Sequence, residues 1–111
     1  MTREERLNLL KNACEEALKR DPEVLEGKEI IFSEKNGWQE NICQEFMCVP
    51  EKEVRIYIVY MAKDSYNILI SKNIRWELAA KYIKEKIREN NIRVLYSSSV
   101  TEYVLGFAVT F

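Results

Sequence analysis

The side chains that could carry chemistry in this chain are sixteen glutamates, ten lysines and three cysteines, and the sequence contains no histidine. Without an imidazole, neither a Ser-His-Asp triad nor a Cys-His pair can form. Gly27, Gly37 and Gly106 are too far apart to build a phosphate-binding loop. The sequence therefore favours a protein without catalytic residues and without a cofactor. An enzyme that uses Glu and Lys alone remains an alternative, with no residues assigned to it.

The three cysteines do not have the spacing of a metal site. Cys43-x₄-Cys48 and a distant Cys14 supply three thiols, whereas structural zinc sites use four ligands, usually in close pairs that include histidine. We therefore predict no bound metal and three buried thiols in a reducing compartment. Glu26-x-Lys28 has the spacing of half a nuclease motif, but no suitable acid precedes it, so it is predicted to be a charged loop.

Composition and charge exclude several other classes of protein. The 111 residues are 47% hydrophobic and 32% charged, with a formal net charge of −1, which is typical of one globular domain and gives no sign of a nucleic-acid partner. The longest apolar run, Ile56 to Ala62, is far shorter than the ~20 residues that span a bilayer, so no membrane partner is expected. With a charged N-terminus, these features predict a cytoplasmic protein, of its own organism or of an infected host, or a virion component.

Two long helices are predicted. Thr2-x-x-Glu5 is a capping box, and the apolar stripe after it predicts a helix to about Arg20. A second amphipathic helix is predicted from near Asn73 to about Glu89.

Five strands are predicted from alternating apolar residues and turn signals. Two of them form a hairpin around a polar turn at Lys63-Asp64-Ser65, and two others flank a polar turn at Ser97-Ser98-Ser99. The predicted strands are Lys28 to Ser33, Val54 to Met61, Tyr66 to Ile70, Ile92 to Tyr96 and Thr101 to Phe111.

Residues 34–53 are ambiguous. Asn36-Gly37 is a two-residue hairpin signal, and the apolar residues after it fit both a helical stripe and one face of a strand. We predict a strand over about 42–49. The order of elements is then α-β-β-β-β-α-β-β. That order indicates a single α+β domain over residues 1–111, with two helices packed on one face of a mainly antiparallel, twisted sheet.

Charge is distributed unevenly along the chain. Residues 1–53 contain eight basic and thirteen acidic residues, a net charge of −5, and residues 54–111 contain nine basic and five acidic residues, a net charge of +4. If the two halves occupy different sides of the fold, the molecule has a dipole that favours head-to-tail association into rings or filaments. The alternative is that the acidic first helix lies beside the basic second helix and neutralises it.

The second predicted helix has two apolar arcs, whereas a helix that covers a sheet needs one. The first arc is predicted to pack on the sheet and consists of Trp76, Ala79, Ala80, Ile83 and Ile87. The predicted partner-binding site is the second arc with the two cations between the arcs, namely Ile74, Leu78, Tyr82, Arg75 and Lys86. The alternative is that the first helix covers the second arc. A continuous polar face consists of Glu77, Lys81, Lys84 and Arg88.

The predicted order of elements resembles that of the small ring-forming tail-terminator and tail-completion proteins of tailed phages. They are α+β proteins with an N-terminal helix, a β-meander, a second helix and a final strand. The resemblance covers the topology and carries over no functional residue. It implies a structural subunit of a homo-oligomeric assembly.

We therefore expect a non-catalytic subunit that binds a protein partner or further copies of itself. A second alternative is a monomeric immunity-type, inhibitor or chaperone-type protein that masks one specific partner. In that case the acidic residues Glu15, Glu16, Glu23 and Glu26 would face a basic partner, because complementary fields speed association.

Overall fold

The computed structural model of the chain describes residues 1–99 and 101–111, with the backbone alone described over residues 96–99. These residues form four helices and five strands of an α+β fold. In chain order the elements are α1 (Arg3–Lys19), α2 (Pro22–Leu25), β1 (Glu29–Asn36), α3 (Ile42–Glu45), β2 (Glu53–Ala62), β3 (Ser65–Ser71), α4 (Trp76–Glu89), β4 (Arg93–Ser99) and β5 (Val104–Thr110).

The two long helices are confirmed. The Thr2 hydroxyl accepts a hydrogen bond from the Glu5 backbone N–H at 3.1 Å, and the Glu5 carboxylate accepts one from the Thr2 N–H, as a capping box requires. Helix α4 begins at Trp76, three residues later than predicted. The reason is that the Asn73 amide donates to the Glu53 carbonyl at 2.7 Å, and its own carbonyl accepts from Lys28.

The sheet is mixed, which corrects the predicted strand pairing. Its order is β1-β2-β3-β5-β4, with β1 and β2 parallel and the other three pairs antiparallel. The predicted hairpin at Asn36-Gly37 is therefore wrong, because parallel strands need a crossover of a dozen or more residues. Residues 37–52 are that crossover. Gly37, at φ 82°, ends β1 and donates its N–H to the Tyr60 carbonyl at 2.7 Å.

The strand predicted over 42–49 is also wrong. This part of the crossover contains the short helix α3, and the buried side chains of Ile42 and Phe46 lie one helical turn apart. The apolar residues of this segment therefore follow the spacing of a helix and not the alternation of a strand. Three strands, not four, precede α4, so the described order is α-α-β-α-β-β-α-β-β and the predicted β-meander is only partly present.

The predicted turn at Ser97-Ser98-Ser99 is wrong as well, because the backbone of β4 pairs with β5 as far as Ser99. The turn lies later in the chain, where the Thr101 hydroxyl accepts hydrogen bonds from the N–H groups of Tyr103 and Val104. Strand β5 therefore begins at Val104 rather than at Thr101. The side chain of Tyr96, the last residue of the strand predicted from Ile92, is not among the described side chains.

Helices α1 and α4 pack on one face of the sheet, as predicted. Their buried residues, Leu10 and Ile83 among them, form one apolar core with Ile56, Ile68 and Phe107 of the central strands. The crossover covers part of the opposite face, where Ile42 and Phe46 join a second cluster of Tyr57, Val59, Leu69 and Val104.

The prediction of three buried thiols is correct for Cys14 alone. Cys14 is a residue of α1 whose side chain is buried in the core, whereas Cys43 is half-buried and Cys48 is exposed. The two outer thiols belong to the crossover, which runs over the surface of the sheet.

We expect the stability of the fold to depend on pH through Cys14. Burial raises the pKa of the Cys14 thiol to about 12, whereas an unfolded thiol ionises near pH ~8.5. The stability that this difference contributes is complete below the unfolded pKa and is lost as the pH rises toward 12. In urea unfolding from about pH 8 to pH 11, the wild type should lose more stability than Cys14→Ala. Cys48→Ala, the control, should follow the wild type, and parallel curves for all three proteins would contradict the buried position of Cys14.

Candidate functional site

The five residues of the predicted partner-binding site lie on the side of α4 that faces α1 and α2. Ile74 is buried, and Leu78 and Tyr82 are partly buried against the main core. Arg75 forms an ion pair with Glu23 at 3.1 Å, and Lys86 forms one with Glu16 at 3.2 Å. The Arg20 guanidinium lies 4.3 Å from the centre of the Tyr82 ring. All five residues have contacts within the chain, so their binding to a partner stays a prediction.

Part of the charge asymmetry is neutralised within the fold. The ion pairs Arg75–Glu23 and Lys86–Glu16 join a cation of the basic half to an anion of the acidic half, whereas Arg20–Glu85, at 2.9 Å, joins the opposite combination and neutralises none of the asymmetry. The hydrogen bond to Glu16 also raises the pKa of Lys86. Exposed pairs of this kind contribute little to stability because water and salt screen them. These pairs lie on the side of α4 that faces α1 and α2.

The polar face of α4 lies on that far side, above the end of the sheet that contains β4. An open groove of about 460 Å³ follows it, lined by the cations Lys81, Lys84 and Arg88, by Glu77 and Glu85, and by the apolar residues Trp76, Ala80 and Leu105. The pKa of Lys84 is lowered, first by burial and then by the charge of Arg88. A carboxylate beside Lys84 would favour its charged form and would therefore raise its pKa again, against both burial and the charge of Arg88. We call Lys81, Lys84 and Arg88 the α4 cationic face.

The two edges of the sheet are β4, beside this face, and β1, at the other end of the molecule. On β4, Arg93 is exposed and Leu95 is a large apolar residue that is 47% exposed. An edge strand presents unpaired backbone N–H and C=O groups to any chain that meets it. The β4 edge therefore combines hydrogen-bonding groups, an apolar side chain and positive charge.

The β1 edge is apolar and carries exposed acidic residues. Ile30, Ile31 and Phe32 are partly exposed, whereas Val54 and Ile56, which pair with Ile30 and Phe32, are fully buried. The apolar layer of the sheet thus extends to β1 without being completely covered. Two glutamates of this strand, Glu29 and Glu34, are exposed. Glu34 lies on the face of the sheet that carries the long helices, where Lys11 of α1 is 2.8 Å away.

The most concentrated polar cluster lies on the opposite face and holds the crossover on the sheet. The Tyr57 hydroxyl donates to the Glu45 carboxylate at 3.0 Å, Lys35 lies 3.5 Å from the same oxygen, and Arg55 donates to the Glu45 carbonyl at 2.5 Å. Burial, with the hydrogen bond to Glu45, raises the pKa of Tyr57. These contacts attach α3 to β1 and β2, while the second Glu45 carboxylate oxygen is buried without a hydrogen-bond partner. Sequence reasoning missed the cluster because it depends on the path of the crossover.

Within residues 1–99 and 101–111, no three His, Cys, Asp or Glu side chains come together as metal ligands would. Over the same residues, no helix has the length and apolar character needed to cross a membrane. A scan against protein-family models and a search of curated protein sequences found no match to this chain. The surfaces of the molecule are therefore the basis for a functional proposal.

We expect Leu78→Glu to destabilise the fold rather than to remove a docking surface. The variant places a carboxylate on the side of α4 that packs against the main core. The free energy of unfolding should fall by about 1–3 kcal/mol in urea. Lys81→Glu, the control, lies on the exposed side of the same helix and should change it by less than about 0.5 kcal/mol. A fully stable Leu78→Glu protein that no longer associates would instead support the partner-binding site predicted from the sequence.

Proposed function

We propose that this protein is a non-catalytic assembly subunit that associates head to tail with copies of itself. One observation carries the proposal: the two open edges of a single sheet differ in charge. The α4 cationic face and Arg93 lie at the β4 edge, with Glu77 and Glu85 in the same groove, whereas β1 carries Glu29 and Glu34, and its one cation, Lys35, contacts Glu45 on the face opposite the long helices. Each edge also exposes apolar side chains next to unpaired backbone groups, which makes it competent to pair with another strand.

Charge favours contact between unlike edges. A two-fold dimer through β4 would bring two positive surfaces together, and one through β1 would bring glutamates of β1 together. Like charges placed across an interface cost free energy and slow encounter. Contact between unlike edges leaves one open edge at each end, so it continues into a ring or a filament. A closed ring is the arrangement implied by the resemblance to the phage tail proteins.

The alternative of a monomeric protein that masks a basic partner has weaker support. Of the four glutamates that would face such a partner, Glu15, Glu16 and Glu23 already form ion pairs, with Lys19, Lys86 and Arg75 respectively. A basic partner would compete with these exposed pairs, as a second copy would compete with Lys11 for Glu34. For the Glu/Lys enzyme alternative, no residues are assigned by the sequence, and the Glu45 carboxylate already contacts Tyr57 and Lys35 where α3 meets the sheet.

We expect the mass of the purified protein in solution to depend on salt. Light scattering after size exclusion should give a multiple of 13.2 kDa at low ionic strength. The mass should fall toward the monomer in about 1 M salt, where charges are screened beyond about 3 Å. A monomer at both salt concentrations, up to the highest protein concentration reached, would contradict self-assembly. A large mass that does not change with salt would contradict the role given to charge.

A further inference from the structure

We propose that the β4 edge of one copy binds the β1 edge of a second copy, antiparallel, so that one sheet continues through both molecules. This inference rests on the proposed self-assembly and specifies its interface. It follows from the directions of the strands, from the position of the long helices and from the charges at each edge.

Strand directions make the pairing geometrically direct. From the pairing along the sheet, β1, β2 and β5 run in one direction, and β3 and β4 run in the other. A second copy placed beside the first in the same orientation presents β1 next to β4. The two strands then run antiparallel, and the long helices of both copies lie on the same side of the continued sheet.

The same placement brings opposite charges together. Helix α4 ends at Glu89 and leads directly into β4 at Arg93, so Arg88 lies near the beginning of β4. In an antiparallel pair, the beginning of β4 meets the end of β1. Glu34, close to the end of β1, faces the helix layer, as its contact with Lys11 shows. Glu34 of the second copy is thereby placed beside Arg88 and Lys84 of the first.

The pairing also covers apolar surface at both edges. Ile30 and Phe32 lie on the helix side of β1 and are incompletely covered in the single molecule. In the continued sheet they would lie beside β4 and below the groove along the α4 cationic face. Leu95, on β4, would be covered by the incoming strand. The occupant of the groove is thus the helix-side surface of β1 from a second copy.

Charge reversal at the two edges tests this interface. Arg88→Glu and Glu34→Lys should each raise the dissociation constant by about tenfold or more at low salt, since each places like charges across the contact. Lys63→Glu, in the turn between β2 and β3, makes the same change of charge as Arg88→Glu away from both edges and should associate like the wild type. All three side chains are exposed, and circular dichroism verifies that the variants are folded.

Mixing the variants gives the decisive result. In an equimolar mixture of Arg88→Glu and Glu34→Lys, every β4–β1 contact between unlike variants again joins opposite charges, so oligomers should re-form. The double variant should likewise assemble by itself. If the wild type assembles but neither single variant weakens it, or the mixture does not recover, the β4–β1 interface is wrong and self-assembly stands. If the wild type is monomeric under all conditions, both proposals are overturned.

Discussion

The parallel pairing of β1 with β2 is the constraint on which the rest of the molecule depends. Parallel neighbours cannot be joined by a tight turn, so residues 37–52 must pass over the sheet. They pass over the face opposite α1 and α4, where Phe46 packs on Tyr57 with the ring centres 4.6 Å apart. The same pairing leaves β1 at one edge of the sheet while β4 forms the other. Glu29 and Glu34 therefore lie at one edge of the sheet, and Arg93 lies at the other.

Magnitudes indicate how the charges would act in an assembly. An exposed ion pair contributes about 0.2–1 kcal/mol, which is too little to hold two molecules together. Burial of apolar surface supplies about 25 cal/mol per Å², and the incompletely covered Ile30, Phe32 and Leu95 would provide such surface in addition to strand pairing. In this account, apolar burial and backbone hydrogen bonds provide most of the attraction, and the charges across the contact add the part that about 1 M salt screens. Charge decides that β4 meets β1 rather than another β4.

Local patterns predicted the elements that depend on local interactions. The capping box fixed the start of α1, and alternation identified the β2–β3 hairpin. The direction of β1 relative to β2 is not local information, so Asn36-Gly37 was misread as a hairpin and α3 as a strand. The two sides of α4 also show the difference between local and non-local information. Helical period separated the Leu78–Tyr82 arc from the α4 cationic face, but the neighbour of each side depends on the order of strands in the sheet.

Hydrogen exchange as a function of protein concentration tests the central claim most directly. Each edge strand has backbone N–H groups that point away from the sheet, and these exchange readily unless another strand accepts their hydrogen bonds. The account predicts that outward-facing amides of both β1 and β4 become protected together as concentration rises at low salt, while the amides of β2 and β3 do not change. Protection of neither edge, or of one edge alone, would contradict head-to-tail assembly through a continued sheet.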